Sequence, residues 1–301
     1  MQKASPRLLG FIITLCGAIL FSTKAIIVKL AFAQTAIDAV SLLTLRMVFS
    51  LPFYLLTAFL VSNRQGNIRM SRIQLLYTIG LGLLGYYLSS LFDFLGLQYI
   101  SAGLERLILF LYPTFAVLIT TFVFKQHLGR NQKWALLLTY LGIAIAYYGE
   151  LQFDRSAGFL LGSFLVFLCA LTYSGYIAFS GRLIPQIGAI KFTAYAMLAA
   201  TVGVFSHFLI SSGNTTRLTD PENWWYGLLL AVIATVIPSF LLSWGLKNIG
   251  ANNVAIISSI GPVSTILQAH FILGEPIFPA QVAGTVLVIA GVLLLGRNRK
   301  E

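Results

Sequence analysis

The chain contains itself twice. Residues 96–148, moved forward by 149 positions, land on 245–297 without a gap. In that register Gly96 meets Gly245, Ile100 meets Ile249, Ala102 meets Ala251 and Pro113 meets Pro262. Phe122 meets Phe271, Gln132 meets Gln281 and Gly142 meets Gly291. Identities held in one ungapped register mark a structural repeat rather than shared greasiness. A weaker echo at an offset of 153 sets Cys16 on Cys169, Ala25 on Ala178, Leu30 on Leu183 and Ile37 on Ile190. If each copy crosses a membrane an odd number of times, the second copy sits upside down relative to the first. That is the architecture of alternating-access transporters.

A membrane is what the composition requires. Hydrophobic residues make up 58% of the chain and charged residues 10%, where a soluble domain carries about a quarter charged residues. The net charge of +11 does not point to nucleic acid, because the basic residues are scattered over short connections between apolar runs. The two cysteines lie inside apolar segments and imply no disulfide framework. The first apolar run, from Leu8, is longer than a signal-peptide core and reads as a retained span.

A crossing helix needs about twenty mostly apolar residues. Ten segments qualify: 8–29, 38–60, 74–96, 101–123, 131–149, 159–180, 191–211, 224–246, 251–272 and 277–296. Alternation of Lys and Arg between the connections sets the orientation. One side collects Lys3, Arg7, Arg64, Arg69, Arg72, Lys125, Arg130, Lys133, Arg182, Lys191, Lys247, Arg297, Arg299 and Lys300. The other holds Lys29, Arg155 and Arg217. Both termini are therefore expected in the cytoplasm. The expected fold class is an all-α membrane protein of ten transmembrane helices, built as two inverted five-helix repeats over 1–149 and 150–301. Asn214-Thr215-Thr216 is a glycosylation sequon on the expected outer side.

Five charges fall within spans: Lys24, Arg46, Asp93, Glu105 and Arg106. Charges in a bilayer are costly and face an interior cavity, a partner or a substrate. Counted at about 1.5 Å per residue, all five lie in the outer half of the membrane and all belong to the first copy. Two readings stay open. In one, Lys24 or Arg46 takes a substrate carboxylate and Asp93 or Glu105 takes an ammonium or a proton. In the other, Arg46 pairs with Glu105 and Lys24 with Asp93 where helices pack.

Helical spacing adds candidates. Tyr86, Ser89, Ser90 and Asp93 stand at i, i+3, i+4 and i+7, on one face of a helix. Glu105 and Tyr112 share a face by the same count. Tyr112 stands beside Pro113, which frees a backbone carbonyl and loosens the helix. Tyr173, Tyr176 and Trp244 are further aromatic candidates. Ser258, Ser259 and Pro262 occupy the repeat-equivalent region of Leu109, Phe110 and Pro113. His207 and His270 are candidate proton sites. The substrate-binding set is thus Lys24, Arg46, Tyr86, Asp93, Glu105, Tyr112, Tyr173, Trp244, Ser259 and His270. The sequence has no His-x-x-x-His, no Cys-x-x-Cys and no phosphate-cradling glycine loop, so neither a catalytic role, a metal nor a cofactor is expected.

Three stretches resemble the drug/metabolite transporter superfamily, and within it the ten-helix EamA type. They are FSTKAIIVKLA at the end of the first span, GLQYISAGLERLILFLYPTFAVLITTFVF over the fourth, and GLKNIGANNVAIISSIGPVSTILQAHFILGEP over the ninth. The family often places a Glu after the proline-containing helix of each copy; here the second copy has Glu275 and the first has Gln126. The resemblance implies a secondary transporter in a plasma membrane, the inner membrane of a bacterium, acting as a monomer or homodimer. It implies efflux of small polar metabolites, often amino acids, with protons as a candidate coupling ion. An uptake carrier or exchanger of a charged metabolite is the alternative. Reporter fusions after Gly66 and after Gly213 are expected to report opposite sides of the membrane; the same side for both would sink the inverted-repeat reading.

Overall fold

The computed structural model describes residues 6–63, 69–125, 127, 129–152, 157–211 and 218–297. Gln126, the 214–216 sequon, Lys3, Arg64, Gly66, Arg155, Gly213, Arg217, Arg299 and Lys300 lie outside the described residues.

The described residues form helices and no strand. They are α1 (Pro6–Gln34), α2 (Ala39–Ser62), α3 (Arg72–Gly82), α4 (Ser89–Gly96), α5 (Ala102–Leu109), α6 (Tyr112–Phe124) and α7 (Arg130–Leu151). There follow α8 (Ala157–Ile187), α9 (Ala189–Ser211), α10 (Pro221–Ala231), α11 (Ile237–Ser258), α12 (Gly261–Gln268) and α13 (Pro279–Arg297). Wider π-helical turns at Leu83–Leu88, Val232–Val236 and Ala269–Leu273 join α3 to α4, join α10 to α11, and extend α12.

Among the described residues, eight helical stretches are long and apolar enough to cross a membrane: Leu9–Gln34, Ala39–Ser62, Arg72–Gly96, Ala102–Phe124, Arg130–Leu151, Gly158–Ile187, Ala189–Ser211 and Pro221–Leu242. A shorter apolar helix covers Pro279–Leu294. The expected span over 251–272 is interrupted at Ser259–Ile260, as Ala102–Phe124 is at Phe110–Leu111. The expected connection near 247–250 is itself helical. Even so, a Cβ on Gly245 would stand 3.3 Å from Val254 Cγ2. Nine residues of straight helix cover about 13.5 Å, so the chain turns back within α11. Large apolar side chains are exposed around the molecule, among them Phe59, Leu76, Phe122, Leu209, Ile210 and Phe271. On a soluble protein such a surface would aggregate; against lipid it is the expected exterior.

The duplication extends to the backbone. The π-helical turns at Leu83 and Val232 begin 149 residues apart. In the first copy the helix breaks between α5 and α6, where the Leu111 N–H reaches the Ile108 carbonyl at 3.0 Å. In the second copy the Ile260 N–H reaches the Ile257 carbonyl at 3.2 Å, at the equivalent residues. The causes are Pro113 and Pro262, which have no N–H to give the preceding turn. Left-handed residues end both stretches, Lys125 with φ of 53° and Gly274 with φ of 71°. Packing repeats as well. Helix α1 packs along α11 and α12, as α8 packs along α4, α5 and α6. Helices α2 and α9 pack on each other, and so do α7 and α13.

The α7–α13 crossing is close because small residues face each other across it. A Cβ on Gly142 would come within 2.6 Å of the Gly284 carbonyl oxygen, and one on Gly284 would collide with the Gly142 carbonyl. Backbone cannot give way as a flexible side chain can. Gly142→Ala and Gly284→Ala are therefore each expected to cost about 1–3 kcal/mol. Gly80→Ala, where a Cβ meets nothing within 4 Å, is expected to stabilise by about 0.5–1 kcal/mol. Thermal unfolding in detergent checks the three; equal behaviour would show that the crossing is not close.

Candidate functional site

Lys24 on α1 organises the interior. Its ammonium lies 2.5 Å from Asp93 Oδ2 on α4 and 3.5 Å from Glu105 Oε1 on α5. Both acids are sealed from solvent, at 1% and 0% exposure. Among the described residues no hydroxyl, amide or guanidinium donates to their four oxygens. One ammonium thus holds two carboxylates and ties three helices together. The expected pairing of Lys24 with Asp93 is present. The pairing of Arg46 with Glu105 is not, because Glu105 turns to Lys24 instead.

The short α5 is held at its N-terminus by two residues. The Leu104 N–H donates to Ser101 Oγ at 3.0 Å. The Ala102 N–H donates to the Glu275 carboxylate at 3.0 and 3.1 Å. A carboxylate at a helix N-terminus meets orphan N–H donors and the positive end of the dipole. Glu275 comes from the second copy, so α5, which carries Glu105 and Arg106, is positioned from across the repeat. At the same end Lys29 Nζ donates to the Ile100 carbonyl at 2.8 Å.

Among the described residues neither arginine makes a direct ion pair, although Asp93 lies near enough to act electrostatically on Arg46, and Glu105 on Arg106. Arg46 on α2 is 5% exposed; it donates to Ser90 Oγ at 3.0 Å and stands over the Phe94 ring at 5.2 Å. Arg106 is 7% exposed. It donates to Ser22 Oγ at 3.3 Å and stands between the rings of Phe21 and Phe110. A Cβ on Gly261 would lie 2.7 Å from Arg106 Nη2, so that glycine lets the guanidinium press against α12. Among the described residues the Nε of each arginine has no hydrogen-bond partner.

Four tyrosines run between these groups. The Tyr176 hydroxyl donates to the Tyr86 hydroxyl at 2.9 Å. Tyr173 and Tyr176 stack at 5.7 Å, and Tyr112 meets Tyr173 edge-on at 5.2 Å. Gly85 makes room for the Tyr176 ring, which any Cβ there would strike. Tyr86 stands in the π-helical turn 83–88, and the expected stripe fans out below it. Ser89 contacts Cys169 Sγ at 3.4 Å, Ser90 meets Arg46, and Asp93 meets Lys24.

The structure therefore gathers Lys24, Arg46, Tyr86, Asp93, Glu105, Tyr112 and Tyr173 in one interior. Ser259 is buried at the α11–α12 break, two residues from Gly261. Two candidates stand apart. Trp244 is 36% exposed and packs toward Gly10 on α1. His270 is exposed, with Nδ1 2.9 Å from the Glu275 carbonyl. His207 contacts the Tyr87 hydroxyl at 3.0 Å. Ser22, Phe94 and Gly261 were missed. Each is ordinary in sequence and takes its role only from the arginine packed on it.

The EamA-like transporter family matches residues 8–148 and again 160–297. The chain belongs to this family. It is similar to the uncharacterized transporter YcbK of Bacillus subtilis (strain 168), at 32% identity over 299 residues, 97% of this chain and 95% of that one. The uncharacterized transporter YyaM of the same organism is 24% identical over 217 residues, 71% of each chain. A solved structure described as "Crystal structure of protein" superposes with a TM-score of 0.65 at 16% identity, covering 97% of this chain and 99% of that one; this likeness supports the fold alone. The protein is thus a multi-pass membrane transporter.

Breaking one partner of a buried ion pair leaves an uncompensated charge and costs about 3–5 kcal/mol. Lys24→Met is expected to lose about that much, and a second change, Glu105→Gln, is expected to recover part of it. Thermal unfolding of the purified single and double variants is the check. No recovery in the double variant would mean that Lys24 does not hold Glu105.

Proposed function

We propose that this transporter exports a small polar metabolite, an amino acid or a related zwitterion or anion, by alternating access. The observation that carries the reading is the buried cluster of Lys24, Asp93, Glu105, Arg46 and Arg106. An apolar cargo would need none of these charges, and a bundle held only by packing would not bear their desolvation cost. The tyrosines beside them offer flat surfaces for the apolar part of a cargo. Asp93 and Glu105 share one ammonium, which leaves a carboxyl able to take up a coupling proton.

The two copies, 1–149 and 150–301, act as inverted five-helix repeats of a ten-helix protein with both termini in the cytoplasm and the inner membrane as its site. The Lys and Arg alternation and the matched breaks at Pro113 and Pro262 support this arrangement. Packing that exchanges α1 on α11–α12 for α8 on α4–α6 supports it too. Rocking of one copy against the other would then open the interior to each side in turn.

Cells overproducing the protein are expected to resist a toxic amino-acid analogue and to hold less of it inside. Proteoliposomes loaded with labelled amino acids should release them faster than protein-free vesicles, and Glu105→Gln should weaken any response to an imposed pH gradient. Raised accumulation in cells would reverse the direction and favour uptake. Movement of no amino acid would overturn the cargo class.

A further inference from the structure

The charges of the interior do not balance, and the imbalance has a sign. Three cations, Lys24, Arg46 and Arg106, stand with two carboxylates, Asp93 and Glu105. Both carboxylates are already on Lys24, at 2.5 and 3.5 Å. Neither guanidinium has an ion pair among the described residues, and each has only one hydroxyl for a side-chain hydrogen-bond partner. Each also leaves its Nε without an acceptor while more than nine-tenths buried. Aromatic faces at Phe94, Phe21 and Phe110 soften this but supply no negative charge.

A buried guanidinium is stable when a carboxylate or phosphate meets its planar fork. We infer that Arg46 and Arg106 are anion-binding residues of the transport site, and that the cargo is an organic anion with a net negative charge. This rests on the export reading above and narrows it. A zwitterion brings no net charge and would need a free carboxylate for its ammonium, yet both carboxylates are held by Lys24. A net anion neutralises the excess. Protonation of Asp93 or Glu105 enlarges the positive excess, so the sign of the cargo does not depend on their state. The tyrosine hydroxyls of Tyr86 and Tyr176, bonded to each other beside this region, are further donors for an anion's oxygens.

The test uses the purified full chain in detergent, with glutamate, 2-oxoglutarate and glutamine as probes. Glutamate and glutamine match in size and differ by one carboxylate. Glutamate or 2-oxoglutarate is expected to raise the unfolding midpoint of the natural protein by about 2–4 °C, and glutamine is not. Arg46→Gln and Arg106→Gln should each lose most of that shift, and Arg46→Lys should keep part of it. Without any probe, the two Gln variants should unfold at or above the natural midpoint, because removing an unmatched buried charge relieves its desolvation. A fall of several degrees without probe would make the arginines structural and overturn the inference. So would equal stabilisation by glutamine, or none by either anion. If vesicles release glutamine as fast as glutamate and the Gln variants still transport, the anion inference fails while export stands; if the natural protein moves no probe, export itself fails.

Discussion

An ammonium shared by two carboxylates is the constraint on which the interior depends. Lys24, Asp93 and Glu105 come from three helices, and none could be buried without the others. Two acids at full burial repel one another, and a lone lysine would have to find water. Together they make a charged joint that fixes how α1, α4 and α5 rotate about their own axes. That rotation then decides the rest. With Asp93 turned to Lys24, Ser90 meets Arg46; with Glu105 turned the same way, Arg106 is carried toward Ser22 and Gly261. The cost of the joint is borne by neighbouring apolar packing, since Ile26, Phe94 and Leu104 beside it are among the largest fully buried side chains.

Much of the fold is legible from the residues because a bilayer accepts few solutions. Apolar length and the 149-residue repeat predict the crossing helices, and the prolines predict the paired breaks. What is not legible has a physical reason in each case. The π-helical turns at 83–88 and 232–236 carry no proline, and their residues do not set them apart from the helices they join. A connection is expected at 247–250 because Lys247, Asn248 and Gly250 interrupt the apolar run, yet helical backbone continues through them.

The site divides along similar lines. That Lys24, Arg46, Asp93, Glu105 and the tyrosines lie inside follows from the penalty for charge in lipid. Which cation meets which acid does not follow, because helix rotation is a tertiary quantity; hence the failed pairing of Arg46 with Glu105. Trp244 and His270 show the limit of counting aromatic and titratable residues within spans. Such residues also suit the outer surface of a membrane protein, where an amphipathic ring has both apolar and polar neighbours, and both stand at exposed positions.

The joint between Glu275 and the start of α5 tolerates substitution unequally on its two sides. On one side the donors are main-chain amides of Ala102 and Gly103, with the Gly103 N–H at 3.5 Å. Amides are supplied by every residue but proline, so mutation at these positions rarely removes a donor. On the other side everything rests on a single carboxylate. The joint is therefore asymmetric: the amides of 102 and 103 serve whatever side chain fits there, with a Cβ at 103 already meeting Gln281 Nε2, while position 275 needs one particular side chain. The repeat-equivalent position in the first copy is Gln126, which brings no carboxylate.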